Sequence, residues 1–344
     1  MAALGLTGQP ETIAGALSGG EDAGIEAGGW PQWCDSPSSL TARRVIGTAA
    51  LDRYASVMGL TPLPRPEGML LGVQDAAPGA DWRPDPAQDR LLAEIAALIL
   101  DAPATMPPAQ LRARLPMIGI WANSRIRARS GPISGGELVA PHGPEDLHIA
   151  ARRTVYSGYF SVESLKLSHR RHDGGVTPVV TREGFIMGDA VVVLPWDPVR
   201  DRVLVIDQFR LAPALRHDPQ PWLLEAVAGR VDAGESPEEA ARREALEEAD
   251  LLLDRLFPAV HHYPSPGAVT EFLYLYIGIA DLPDDATGVH GLDSEAEDIR
   301  GHLLDRQALM RMVMAGEISN GPLAMSALWL ESQKDHLRAE LSGS

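Results

Sequence analysis

The stretch Gly229–Leu251, GRVDAGESPEEAARREALEEADL, constrains this chain more than any other. Ser236 is a good N-cap, Pro237 stands at the first helical position, and Glu239 falls where it completes a capping box with Ser236. A helix begun there carries Ala240, Ala241, Ala245, Leu246 and Ala249, which suit close packing on a sheet. It also carries Glu244, followed three and four residues later by Glu247 and Glu248, so the three carboxylates project to nearly one side. Like charges at that spacing repel. A hard divalent cation bound by oxygen removes the repulsion, and Mg²⁺ held by carboxylates and substrate phosphates fits. Arg243 is placed to hold a glutamate such as Glu235 by a bidentate pair. The bland alternative is a solvated acidic helix. The fixed offsets of Gly229, Glu235, Arg243, Glu244, Glu247 and Glu248, behind a strand-like run ending in Ala228, argue against it.

Those offsets resemble the signature of the Nudix hydrolases: glycine, five residues, glutamate, seven residues, Arg-Glu, two residues, Glu-Glu. One position departs, since Asp250 stands where the family has glycine. It falls just past the helix, where a left-handed residue is favoured. Aspartate tolerates that conformation better than most, although its charge sits badly at the negative end of the helix dipole. A small stability cost is expected, without loss of metal binding.

The resemblance extends from about Arg152 to the C-terminus and points to the ADP-ribose pyrophosphatase branch. It is carried by RRTVYSGYFSVESLKLSHRRHDGG (Arg152–Gly175), VLPWDPVRDRVLVIDQFR (Val193–Arg210), PWLLEAVAGR (Pro221–Arg230), YPSPGAVTE (Tyr263–Glu271) and GVHGLDSEAEDIR (Gly288–Arg300). Pro266, fifteen residues after Leu251, matches the proline that marks the ADP-ribose class. The resemblance implies an α/β fold, a Nudix α/β/α sandwich with a mixed sheet, assembled as a homodimer. It implies hydrolysis of ADP-ribose to AMP and ribose 5-phosphate with two or three Mg²⁺ ions (Mn²⁺ as a substitute).

Site residues follow from the same resemblance. Glu244 and Glu248 are the leading metal ligands, with Glu247 and the Ala228 carbonyl beside them. In the acidic run Leu292–Ile299, Glu295 matches the catalytic base and Glu297 a further ligand; read without the resemblance, this run is equally a solvated loop. Glu225 and Glu235 match residues that fix the site geometry. Arg182 and Arg210 match substrate-holding positions, and arginine suits both phosphate pairing and stacking on adenine. Glu271 is placed to reach the terminal ribose. Tyr156 and Phe160 lie on an early strand that relatives exchange across a dimer, where they stack on a base or simply fill a core. His261 and His262, with no ligand-spaced partner nearby, read as structural.

The remaining sequence sets limits. A 36.9 kDa chain is long enough for two domains and a tail. Net charge of −17 argues against sequence-independent nucleic-acid binding and against an anionic membrane surface. The single cysteine, Cys34, forms no internal disulfide and fits a reducing cytoplasm. Residues 1–41 lack Lys and Arg, are rich in Gly, Ala, Ser and acid, and are expected to be largely disordered. Residues 42–143 form an accessory region with helical patterns at Thr41–Met58, Pro86–Leu100 and Pro108–Arg127, of no assignable function. Residues 144–344 are the expected hydrolase domain, with strands at Val162–Leu167, Val176–Val180, Ala190–Leu194, Arg202–Gln208 and Phe272–Ala280. Two other functions stay open: a Nudix hydrolase of another nucleoside diphosphate derivative, such as a nucleotide sugar, and a ligand-sensing module without catalysis.

Overall fold

Glycine and proline punctuate the first third of the chain, and short elements lie between them. The computed structural model describes residues 2–19, 25, 29–65, 68–73, 85–131, 138, 142–291 and 298–343. It divides into two units: residues 1–187 with 232–234, and residues 188–231 with 235–344.

In the first unit, β1 (Gln9–Ser18) pairs antiparallel with β2 (Gln32–Arg44). Where disorder was expected over residues 1–41, the described stretches Gln9–Ser18 and Gln32–Thr41 are paired, and Glu11 accepts two hydrogen bonds from Arg44 at 2.8 and 2.9 Å across the ladder. Composition does not report such pairing, because its partner strand lies downstream of a long connection. Gly15, at φ +139°, sits in a register shift of the hairpin, and a Cβ there would lie 2.0 Å from the Trp33 ring. Helix α1 (Ala49–Met58) starts at Thr48, whose hydroxyl accepts from the Leu51 N–H at 3.2 Å. It does not start at Thr41, since Thr41–Arg44 belong to β2.

A second hairpin, β3 (Thr61–Arg65) and β4 (Gly68–Gly72), is followed by α2 (Pro86–Asp101). The run expected as one helix from Pro108 is two, α3 (Pro108–Arg112) and α4 (Leu115–Ser130). Pro116 has no N–H to continue the earlier ladder, and it is tolerated near a helix start. Ile95, Ile99, Leu111 and Trp121 pack in the core of these helices.

Strands β5 (Leu147–Ser157), β6 (Ser161–His169) and β7 (Val180–Ile186) form a three-stranded antiparallel sheet. The strand expected at Val176–Val180 lies later, because Pro178 cannot donate to a ladder. Glu163 on β6 pairs with Arg125 of α4 at 3.5 Å and with Arg152 of β5 at 3.3 Å. Such ties group this sheet with the first unit, which runs to residue 187.

The second unit is built on β8 (Ala190–Asp197), whose continuous apolar run needs cover on both faces. Beside it run β9 (Arg202–Phe209), β10 (Trp222–Glu225), β11 (Val227–Arg230), β12 (Arg255–Pro258), β13 (Leu273–Ile279), β14 (Val289–His290) and β15 (Ile299–Asp305), with the short helix α5 (Leu211–Leu215) after β9. The order is β12-β13-β8-β9-β15-β14, with β10 against β9 and β11 against β8. The β13–β8 pair is parallel and the others are antiparallel, so the sheet is mixed. Helix α6 (Pro237–Ala249) covers one face through Ala240, Ala241, Ala245 and Ala249, packed on Val191, Val193, Leu204 and Tyr276. Helices α7 (Arg306–Ala315) and α8 (Gly321–Ser342) cover the other with Leu309, Leu323, Leu330 and Leu337. Among the described residues no helix is long and apolar enough to cross a membrane.

Two features at the edges of this sandwich are informative. Asp250 ends α6 in the left-handed conformation (φ 50°, ψ 38°), with its N–H donating to the carbonyls of Ala245 and Leu246. Asp250→Gly is therefore expected to raise stability by about 0.5–1 kcal/mol, read as a higher urea midpoint at unchanged slope. The β8–β9 turn is the other. Asp201 there accepts from Arg306 at 2.9 Å twice, from Arg338 at 2.7 Å and from the Trp196 indole at 3.3 Å.

Candidate active site

The box helix is organised from its first turn. Ser236 Oγ accepts from the Glu239 N–H at 3.2 Å, and Glu239 accepts from the Ser236 N–H at 2.8 Å, which is the capping box. With the alanines turned to the sheet, the carboxylates of Glu244 and Glu248 reach back to β11. Glu248, only 2% exposed, accepts a hydrogen bond from the Ala228 N–H at 3.0 Å. Glu244 lies against Gly229, where a Cβ would sit 1.9 Å from its Oε1. Any larger residue there would force that carboxylate to move.

Arg243 knits the group together. Its Nε and Nη2 donate to the two oxygens of Glu235, each at 3.0 Å. Nη1 donates to Glu244 at 2.8 Å and Glu247 at 2.9 Å, and Nη2 also reaches the Arg230 carbonyl at 2.9 Å. Burial works against its charge, but Glu235 and Glu244 outweigh that and hold the guanidinium above the ordinary arginine range. The bidentate Glu235 pair matches the sequence expectation. The bonds to Glu244 and Glu247 go beyond it: Arg243 offsets the repulsion that three carboxylates on one helical face would otherwise impose.

Among the described residues, no group of three or more His, Cys, Asp or Glu side chains is spaced to cage an ion, with Arg243 lying among the carboxylates. The donor set nonetheless suits a hard cation. Glu244, Glu247 and Glu248 offer oxygen only, close to the Ala228–Gly229 backbone, and the glycine cradle keeps that corner open to a carboxylate.

A second cluster lies in the same unit. Arg210 donates to both oxygens of the buried Glu225, at 3.1 and 2.9 Å, so these two expected site residues are partners. Burial pushes the Glu271 carboxyl up; Arg230 and Arg210 oppose that, and Asp189 adds to it. The sequence reading singled out neither Asp189, which is buried, nor Arg230. The available signals were an acid opening an apolar strand and a basic residue directly after the box glycine.

Other expected residues lie elsewhere. Arg182, on β7, is exposed, and Tyr156, on β5, is 58% exposed; Phe160 precedes β6 in edge contact with Tyr159. All three belong to the first unit, while the box carboxylates belong to the second. Glu295 and Glu297 lie outside the described residues. His261 packs against Tyr274 and Tyr276, and burial lowers its pKa, in keeping with a structural role.

A family model described as "NUDIX domain" matches residues 187–319. The ADP-ribose pyrophosphatase of Escherichia coli (strain K12) is 41% identical over 203 residues, covering 59% of this chain and 96% of the relative. That of Haemophilus influenzae is 36% identical over 189 residues, covering 54% and 87%. A GDP-mannose pyrophosphatase of Enterobacter sp. (strain 638) is 28% identical over 185 residues, covering 54% and 95%. A solved structure titled "Crystal structure of ADP compounds hydrolase" aligns at a TM-score of 0.43 and 21% identity, covering 55% of this chain and 96% of that one.

Proposed function

The chain belongs to the Nudix hydrolases, in their ADP-ribose pyrophosphatase branch, and from that premise we propose that it hydrolyses ADP-ribose to AMP and ribose 5-phosphate. The observation that carries this reading is the convergence of Glu244 and Glu248 on the Ala228–Gly229 backbone. Glu244, Glu247, Glu248 and the Ala228 carbonyl would hold divalent cations, two or three Mg²⁺ or Mn²⁺, with Glu297 as a further ligand. Bound there, such ions supply neutralisation of the diphosphate and a water of lowered pKa. Glu235 and Arg243 keep the glutamates in register, and Glu295 takes the proton from the attacking water. Arg210, oriented by Glu225, meets the substrate's negative charge, and Glu271 reaches the terminal ribose. Arg182, Tyr156 and Phe160 complete the substrate contacts.

The hydrolase portion is taken as residues 144–344. A homodimer is supported by β5, which is exposed along nearly its whole length and leaves Ile149, Val155 and Tyr156 uncovered. Sedimentation equilibrium at twice the chain mass is the expected result. A cytoplasmic location, with neither nucleic acid nor membrane as partner, accords with the net charge and the lone cysteine.

The test is a panel of ADP-ribose, ADP-mannose and GDP-mannose with Mg²⁺. ADP-ribose is expected to turn over fastest, releasing AMP; much faster cleavage of either mannose compound would move the chain to the nucleotide-sugar reading. Arg243→Lys keeps a charge but loses the fork that spans Glu235, Glu244 and Glu247. It is expected to weaken the metal response about 10–100-fold, seen as a rightward shift of the Mg²⁺ activation curve.

A further inference from the structure

Between helices α2–α4 and the three-stranded sheet β5–β7, all within the first unit, lies a hollow of about 40 Å³. Its walls are in register. Arg114 at the N-cap of α4, Ile118 and Trp121 follow at steps of four and three residues, so they share one helical face. Arg125 continues that stripe and meets Glu163 of β6 at 3.5 Å. On the sheet, Thr154 stands opposite Glu163 and Ser157 opposite Ser161, and the bulge between Thr154 and Tyr156 keeps both pairs on one face. Ser161 is in turn opposite Ile186 on β7. One face of a helix and one face of a sheet therefore look into the same space.

Two side chains lining it carry three buried donors with no acceptor among the described residues. These are Nε and Nη2 of Arg114 and the indole N–H of Trp121, a residue only 5% exposed. The third guanidinium nitrogen, Nη1, donates to the Ser157 hydroxyl, whose own hydrogen is left to give. The guanidinium carbon lies 5.2 Å from the centre of the Trp121 ring, which eases the charge without accepting the orphaned N–H groups. Burial lowers the Arg114 pKa, yet a guanidinium stays charged at neutral pH. No carboxylate answers it. Among the described residues Arg114 forms no ion pair, Asp101 at the rim is exposed, and Glu163 is already held by Arg125 and by Arg152 at 3.3 Å. Water would supply lone pairs but leave the charge uncompensated, whereas an anion supplies both.

We propose that this hollow binds a compact monovalent inorganic anion, of the size of chloride or nitrate, on Arg114, Trp121 and Ser157, and so ties α4 to β5. The volume admits a small ion and excludes nucleotides and sugars, whose sites run to roughly 300 Å³ or more. None of these residues is assigned to hydrolysis, so the site stands or falls apart from that reading.

The full chain labelled with 5-fluorotryptophan provides the test, its Trp121 fluorine resonance assigned by Trp121→Phe. Sodium chloride and sodium nitrate are titrated separately, with sodium gluconate, an anion too large for the hollow, holding ionic strength constant. Chloride or nitrate is expected to move the resonance saturably with a Kd of about 10 mM or tighter. Arg114→Met is expected to weaken binding about tenfold or more. Should that variant fail to fold, melting decides. Exchanging about 0.1 M gluconate for chloride or nitrate is expected to raise the melting temperature of the first unit by about 2 °C or more. Trp121→Phe, which keeps a ring and gives up the N–H, is expected to lose most of that rise. Response to one anion and not the other identifies the preferred shape and supports the site. The proposal is overturned if neither anion moves the resonance, as for a hollow filled by water alone, or if gluconate moves it equally. It is also overturned if folded Arg114→Met binds as the unmutated chain does, or if Trp121→Phe keeps the full rise in melting temperature.

Discussion

Glu248→Gln is expected to lower kcat on ADP-ribose by at least about 10²–10³-fold, the loss seen when a group that stabilises transition-state charge is removed. Glutamine has nearly the same shape and keeps an oxygen to accept the Ala228 N–H, so the helix should stay seated on β11. It lacks the negative charge that a divalent ion requires at that corner. The discriminating readout is therefore activity beside thermal melting: a large drop in kcat with a melting point nearly unchanged. Activity equal to that of the unmutated chain would remove Glu248 from the reaction and favour a sensing module over an enzyme.

Asp201→Ala should give the largest loss of stability, about 3 kcal/mol, because it strips the main carboxylate from a guanidinium that is almost wholly buried. Arg306 is 4% exposed and would keep Glu331 as its only carboxylate partner among the described residues; Arg338 and the Trp196 indole would lose theirs. The turn would also lose an aspartate suited to its left-handed conformation, φ 53°. A fall of about 6–12 °C in the melting of the second unit is expected by calorimetry. Burial raises the pKa of Asp201, but its bonds to Arg306 outweigh that and hold the carboxyl below the usual range. Its contribution is thus present at neutral pH and lost as pH falls below the unfolded carboxylate range, so the variant and the unmutated chain should converge in stability under acid. A variant that melts with the unmutated chain at neutral pH would show the clamp to be dispensable.

What could be read from the residues alone was whatever is local. The capping box of α6, its alanine face and the Arg243–Glu235 pair all arise within one short segment, and each is found in place. The apolar runs of β8, β9 and β13 were legible for the same reason, since strands buried on both faces have no need to alternate. Grouping by topology was not legible. Asp189, Arg230 and Glu271 come together because β11 and β13 both pair with β8, one antiparallel and one parallel, and no spacing in the sequence records that. The pairing of β1 with β2 is not legible because composition speaks for average solvation and is silent on a strand partner far along the chain.

Gly229 has a consequence for anyone engineering this chain. Glycine-to-alanine exchange is a common route to a stiffer, more robust protein, and it works where the backbone is ordinary and nothing lies opposite. Position 229 meets the first condition and violates the second: its torsion is not of the kind reserved for glycine, but the space beside it is already taken by the Glu244 carboxylate. A library guided by dihedral angles alone would therefore nominate this site for hardening and, in doing so, displace the Glu244 carboxylate from the pocket beside the strand.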